Sequence, residues 1–349
     1  MRRVLASAAA GLVAALLALE VILRLLPVST ATMTGYHVDA DILTYPAHHR
    51  WTVSTGWDLR NPQQLRGNNL GFASDVDFVA DAGALALIGD SYVEASMLDA
   101  RHRPAAQLQA RLGPRRAVYG MGTPGTALLD YAQRVRFARE RLSVCDFVVW
   151  LEGGDARQAL CGSGNVVSRC LDPRTLQPAI QRRPPPSPMQ RWLRHSALAQ
   201  YVFSQLKVDW RRLAVAAITR TTPEAAASPA SPRAAPSSDR ALERARAVAD
   251  AAVDQFFRDV APHLDGRLLF VVDGQRGGAP ARPTLADAER RFMIERLRWH
   301  GAEVLDMEPV YAEHATRSGW SLEVGPYDRH LNARGVALVM DSVAARLRP

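Results

Sequence analysis

From about residue 82 onward the chain alternates two hydrophobic rhythms. Ala84-Leu85-Ala86-Leu87-Ile88 is a continuous apolar run closed by Gly89, which reads as a buried strand. Pro104 to Leu112 follows with helical spacing, and Arg116-Ala117-Val118-Tyr119 reads as a second strand ending in glycines. Leu128 to Leu142 is the next helix and Asp146 to Leu151 the third strand. After an interruption come a helix from Asp239 to Leu264, a strand from Leu268 to Val272, and a helix near Leu285 to His300. A short strand at Glu303-Val304-Leu305 and a last helix from about Asn332 to Leu347 complete the pattern. Strands alternating with helices predict an α/β class with a parallel sheet covered on both faces.

Two stretches break this rhythm. Ser29 to Asp81 carries few periodic stretches and reads as an irregular lead-in. Residues 156–238 read as an insertion: Pro184-Pro185-Pro186 stands near one end, and Thr221 to Ser238 is almost wholly Thr, Ala, Ser and Pro. By composition the second of these is a disordered linker. Between the two arms a helical centre, Trp192 to Thr219, holds Trp192, Tyr201, Phe203 and Trp210 beside Arg211-Arg212. Its aromatics either pack on the main domain or meet a membrane surface. The expected order is 1–28 anchor or signal, 29–81 lead-in, 82–155 and 239–349 the two parts of the core, and 156–238 the insertion.

The first residues decide the compartment. Met1-Arg2-Arg3 precedes an apolar run from Val4 to Leu19, then Glu20, Val21-Ile22-Leu23, Arg24, Leu25-Leu26 and Pro27. As one helix, Val4 to Leu26 is about 34 Å long, enough for a ~30 Å hydrocarbon core. Glu20 and Arg24, four apart, share a face and can pair near the outer interface. Arg2 and Arg3 stay inside under the positive-inside rule. The reading is an inner-membrane anchor with the remainder periplasmic. A cleaved signal peptide ending near Ser29-Thr30-Ala31 is the alternative, and it leaves the chain secreted.

Composition narrows the partners. Of 349 residues, 48% are hydrophobic and 22% charged, a globular balance that excludes wholesale disorder, collagen and coiled coil. The net charge is +8, but Lys207 is the only lysine and the arginines are scattered, so no nucleic-acid partner is expected. Cys161 and Cys170 bracket a Gly-rich stretch and could close a small disulfide loop, worth roughly 2–3 kcal/mol. Cys145, before Phe147-Val148-Val149-Trp150, reads as a buried thiol. His48-His49 reads as solvated, and no cysteines carry zinc spacing with nearby histidines.

The candidate chemistry sits at the two ends of the core. Ser91 follows the first strand in Gly89-Asp90-Ser91, where a parallel sheet presents its ligands. Alone it is a nucleophile or merely a helix cap. Asp328-Arg329-His330 lies just before the last helix, with a carboxylate two residues before an imidazole it can orient. The alternative for that pair is capping of the loop-to-helix junction.

With these residues in place, the chain resembles the SGNH (GDSL-type) hydrolases, especially membrane-anchored envelope members and enzymes of exported-polysaccharide acetylation. The first family block is similar to Leu87-Ile88-Gly89-Asp90-Ser91, and the element before it to Asn69-Leu70-Gly71-Phe72. The second block is similar to Gly120-Met121-Gly122-Thr123-Pro124-Gly125, with Gly122 at the oxyanion glycine, and the fifth to Asp328 and His330. The resemblance covers roughly residues 65–155 and 265–347. It implies a flavodoxin-like doubly wound sheet, a Ser91–His330–Asp328 triad, and no metal or organic cofactor.

One block departs. The third normally reads Gly-x-Asn-Asp or Glu-Gly-Asn-Asp, its Asn donating to the oxyanion, and here it is Glu152-Gly153-Gly154-Asp155, with Gly154 in the place of the Asn. The resemblance then leaves backbone donors at Ser91 and Gly122. The backbone N–H of Gly154, a water, or a side chain such as Asn165 is left to fill the gap. The implied activity is an esterase or acetyl-group transferase on acylated envelope glycans or lipids, with polysaccharide assembly proteins as partners. The alternative is a catalytically impaired binding or assembly module.

Overall fold

Between residues 29 and 81 the computed structural model contains two hairpins, which corrects the expectation of an irregular lead-in. A long helix, α1 (Arg2–Leu25), precedes them. β1 (Gly35–Asp39) runs antiparallel to β2 (Ile42–Thr44), and β3 (Arg50–Thr55) pairs with β4 (Arg60–Arg66). The strands escape a search for hydrophobic period because they are short or mostly polar, although β2 is wholly buried through Ile42 and Leu43. β4 reads Arg-Asn-Pro-Gln-Gln-Leu-Arg, with Leu65 its only buried residue. The residues described are 2–30, 33–165, 168–182, 184–206, 239–276 and 283–348.

The core elements follow the apolar runs closely. They are β5 (Leu85–Gly89), α2 (Ser91–Glu94), α3 (Pro104–Leu112), β6 (Val118–Gly122), α4 (Leu128–Leu142), β7 (Asp146–Leu151) and α5 (Asp155–Gln158). A small antiparallel pair, β8 (Arg169–Leu171) and β9 (Pro178–Ile180), comes next, then α6 (Pro188–Leu193) and α7 (Ala197–Gln200) with a π-turn at Tyr201–Gln205. α8 (Asp239–Val260), β10 (Leu268–Val272), α9 (Leu285–Trp299), β11 (Glu303–Asp306), α10 (Glu308–Arg317) and α11 (Ala333–Leu347) complete the chain. The second strand lies two residues later than its apolar run suggests, because Gly120 and Gly122 belong to it. Within the expected helical centre, Trp192 to Thr219, short helices end at Gln205; Trp210 and the 221–238 linker lie outside the described residues.

Five strands form one parallel sheet in the order β11-β10-β7-β5-β6. The first core strand is therefore internal. The chain steps to one side of it for β6 and crosses to the other for β7, and such a reversal opens a crevice at the carboxyl ends of the strands. The two faces bury alternate residues. Ala86, Ile88, Phe147, Val149, Phe270 and Val272 pack with residues of α4, α8 and α9. Leu85, Leu87, Val148, Trp150, Leu269 and Val271 pack with residues of α3, α10 and α11. This is the doubly wound α/β fold that the resemblance implies.

The chain divides into two compact units. The larger comprises Met33–Arg50, Leu65–Pro184 and Pro236–Pro349 and holds the sheet. The smaller comprises Met1–Thr32, Trp51–Gln64 and Pro185–Ala235. Within the smaller unit α1 is long and apolar enough to cross a membrane, and its best 18-residue window is wholly unburied. Its Arg24 pairs with Glu20 at 2.8 Å.

Candidate active site

β5 ends at Gly89 and the backbone turns at once into α2. A side chain at Gly89 would meet Val93 Cγ2 at 2.6 Å and the Trp150 carbonyl at 2.9 Å, so the turn closes only around glycine. Asp90 caps the helix, its carboxylate accepting the Tyr92 N–H at 2.9 Å. That cap sets Ser91 at the first helical position, on the rim of the crevice.

His330 arrives from the opposite end of the chain. Its Nε2 lies 2.9 Å from Ser91 Oγ, and its Nδ1 lies 2.6 Å from Asp328 Oδ1. The same carboxylate oxygen accepts the His330 backbone N–H at 2.9 Å. Val324 donates to the His330 carbonyl at 3.0 Å and Gly325 to the Asp328 carbonyl at 2.6 Å, which folds the loop back on itself. Asn332 caps α11 through the N–H groups of Arg334 and Gly335, so the segment after His330 is fixed as well. Burial disfavours the imidazolium. The Asp328 hydrogen bond and charge, with Asp90 and Glu152 behind them, outweigh it and raise the His330 pKa above its ordinary value. A hydroxyl, an imidazole and a carboxylate in this relay can carry out nucleophilic acyl transfer.

Gly122 closes the far side of the turn that carries Ser91. A Cβ there would stand 2.3 Å from the Glu94 nitrogen and 2.8 Å from the Asp90 carbonyl, so its backbone lies directly against the turn. Arg134, wholly buried on α4, ties the two strand ends together. It donates to the carbonyls of Gly89 and Met121, the latter at 3.1 Å, and to Thr126 Oγ1 at 3.0 Å.

Gly154 stands at the N-cap of α5, after β7. A Cβ at this position would lie 3.2 Å from both the Arg157 guanidinium and the Gln158 amide nitrogen. Gln158 therefore fills the space beside the glycine, and its amide donates to Glu152 at 3.0 Å. Asn165 donates to the Gln158 oxygen at 2.5 Å, so its side chain is committed to Gln158. Asn165 belongs to the loop closed by the disulfide between Cys161 and Cys170, whose Cα atoms are 5.1 Å apart. Cys145, expected buried, is half-exposed at the start of β7, with Arg139 3.5 Å from its sulfur.

Several neighbours of the triad carry no sequence signal. The Tyr92 ring lies 5.3 Å from the His330 ring. Arg276, after β10, donates to the Tyr92 hydroxyl and to Asp273 Oδ2, each at 2.7 Å, and also to the Arg329 carbonyl. One guanidinium thus links α2, the end of β10 and the His330 loop. Burial, with Glu152 nearby, pushes the Asp90 carboxyl up to about 7. Burial likewise lifts Glu94 to about 7, although the Tyr45 hydroxyl donates to it at 2.7 Å. Among the described residues no group of three His, Cys, Asp or Glu side chains is placed to hold a metal.

No family model and no curated protein matches the chain. Solved structures do. LAE5, an alpha/beta hydrolase enzyme from the metagenome of Lake Arreo, Spain, is 14% identical, with 78% of this chain and 99% of that one covered and a TM-score of 0.41. A member of the lipolytic protein G-D-S-L family from Veillonella parvula is 11% identical, with 76% and 97% covered and a TM-score of 0.40. Est24, a carbohydrate acetylesterase from Sinorhizobium meliloti, is 11% identical over 76% and 97%, with a TM-score of 0.37. At such identities and scores these likenesses carry nothing about chemistry, which rests on the residues described above.

Proposed function

We propose that the chain is a serine-dependent acyl-ester hydrolase or acyl-group transferase of the SGNH type, membrane-anchored and exported, acting on acylated envelope glycans or lipids. The observation that carries this reading is the Ser91–His330–Asp328 relay, with contacts of 2.9 and 2.6 Å, at the carboxyl ends of the strands. In this reading Ser91 Oγ attacks the ester carbonyl carbon while His330 Nε2 takes its proton. Asp328 holds the tautomer and offsets the imidazolium charge. The tetrahedral oxyanion is met by the backbone N–H groups of Ser91 and Gly122. The departing alkoxide takes the proton back from His330 and leaves an acyl-Ser91. Water then releases the acid, or a sugar hydroxyl accepts the acyl group.

Export is supported by α1 and by the Cys161–Cys170 disulfide, which suits an oxidising compartment. Because His330 must be neutral to act as a base and its pKa is raised, the acid limb of kcat/KM falls above the ordinary imidazole value of about 6.5.

The test is labelling by a serine-directed phosphonate, followed by turnover on acetylated sugars and short-chain aryl esters. The reading expects a phosphonyl adduct on Ser91 that Ser91→Ala and His330→Ala both lose. A second reading, a binding module for acylated polysaccharide, draws on Gly154. Gly154 has no side chain to donate where the third block has its Asn, and the neighbouring Gln158 amide is engaged by Glu152. Binding of acetylated glycan without phosphonylation or turnover decides for it.

A further inference from the structure

The end of α1 is held by the smaller unit through one carboxylate. Glu20 accepts the backbone N–H groups of Ala197 at 3.0 Å and Leu198 at 2.9 Å, the Ser196 hydroxyl at 2.9 Å, and Arg24 Nε at 2.8 Å. Arg24 also reaches the His195 carbonyl at 3.3 Å. Leu23 and Val28 pack with Ala197, against Leu59, Leu198 and Tyr201. The Tyr201 hydroxyl in turn donates to the Trp57 carbonyl at 2.8 Å. Residues 57–59 and 195–201 are therefore gathered around the last turns of α1.

Depth follows from length. Val4 to Leu19 spans about 24 Å as a helix, so a hydrocarbon core of about 30 Å extends to roughly Leu23. Glu20 then lies at the outer edge of the core, where an unpaired carboxylate is costly, and its four donors lie at the same depth. The neighbouring segments carry uncovered apolar side chains: Trp192 is 72% exposed, Met189 71% and Trp57 67%. The exposed apolar surface runs on from α1 through Val21, Ile22, Leu25 and Leu26. Residues 188–206 contain no acidic side chain and carry Arg191, Arg194 and His195. Tryptophan with arginine at this level is what the boundary between acyl chains and phosphate headgroups selects.

We propose that Pro188–Leu206 and the Trp57 turn rest in the outer interfacial layer of the bilayer as a collar around the end of α1, with a phospholipid surface as their partner. The proposal rests on reading α1 as a membrane span. The Glu20 contacts then act as a latch that sets the collar's depth.

The test uses the full chain in phosphatidylcholine vesicles, in a Cys145→Ser background, with a fluorescent thiol probe at Leu16→Cys, Trp57→Cys or Trp192→Cys. Lipids brominated near the headgroup should quench the probes at 57 and 192 by about twofold, whereas lipids brominated near the bilayer centre should quench the probe at 16 more strongly. Probes at 57 and 192 that respond to aqueous iodide and to neither lipid, while 16 is quenched, overturn the collar and leave the span standing. A probe at 16 that no lipid quenches overturns both. Should a label disturb the fold, the unlabelled Trp57→Ser/Trp192→Ser chain must lose lipid-quenched tryptophan emission; unchanged quenching overturns the proposal.

Discussion

The turn that carries Ser91 is walled by buried groups, whereas the loop that carries His330 lies open to solvent at Pro326, Tyr327 and Arg329. Gly89, Asp90, Val93, Glu94 and Gly122 meet around the serine with almost no exposed surface, and Arg134 stitches their carbonyls from behind. On the histidine side a few hydrogen bonds and the cap of α11 do the same work, with Arg276 reaching in from β10. The position of Ser91 is thus a property of the hydrophobic core. That of His330 rests on polar contacts together with Leu322 and Leu331, which anchor its loop in the core.

The sharpest test asks whether the two halves act as one. Ser91→Ala and His330→Ala should each lower turnover by roughly 10⁴–10⁶, and the double variant should lose little more, because members of a catalytic unit are strongly non-additive. Multiplicative losses on an ester substrate would separate the halves. Next in size is the third wall of the site. Gly154→Asn should raise turnover on a small aryl ester, by up to about 10²–10³, if it restores an oxyanion donor. The ends of Arg157 and Gln158 must yield to admit it, and both are flexible side chains. A fall in an already active enzyme would mean that the gap is occupied by substrate.

Arg276→Met attacks only the open side. With the loop tie cut, kcat should fall by roughly 10² while KM holds, as expected of a small misplacement of the base. Arg276→Lys should recover part of that loss through Asp273. Equal changes in kcat and KM, or no rescue, would end the positioning role.

Glu94→Gln probes the closed side and has the smallest effect. Folding raises the Glu94 pKa from 4.5 to about 7, so the folded chain keeps a proton that the unfolded chain loses. The stability this gives is present below about pH 4.5 and is lost as pH rises through about 7. Glutamine removes the loss, so the variant should match wild type near pH 4 and gain at most about 3 kcal/mol at pH 8, read from denaturant melts. A constant difference at all pH values would show that the carboxyl does not titrate.

Most of the sheet was legible because its strands are buried on both faces and therefore appear as unbroken apolar runs, as at Leu268–Val272. Asp328 and His330 were legible because a two-residue spacing before a helix cap is local. Arg276, Tyr92, Glu152 and Gln158 were not, since their roles exist only after β5, β7 and β10 lie side by side. Arg134 shows the limit from the other direction. In sequence it is one more arginine on a polar helix, and only its burial beneath two strand ends reveals what it holds. The hairpins before residue 67 were hidden for the opposite reason, having too few apolar positions to set a period.

Ser91 and His330 stand 239 residues apart in the chain. At about 5–20 residues per second, a ribosome makes Ser91 roughly 12–48 s before it makes His330. For that interval the growing polypeptide holds a serine with no partner to activate it. If the two form the catalytic pair proposed above, their order along the chain works as a timer, because Ser91 has no base to activate it until His330 has been made.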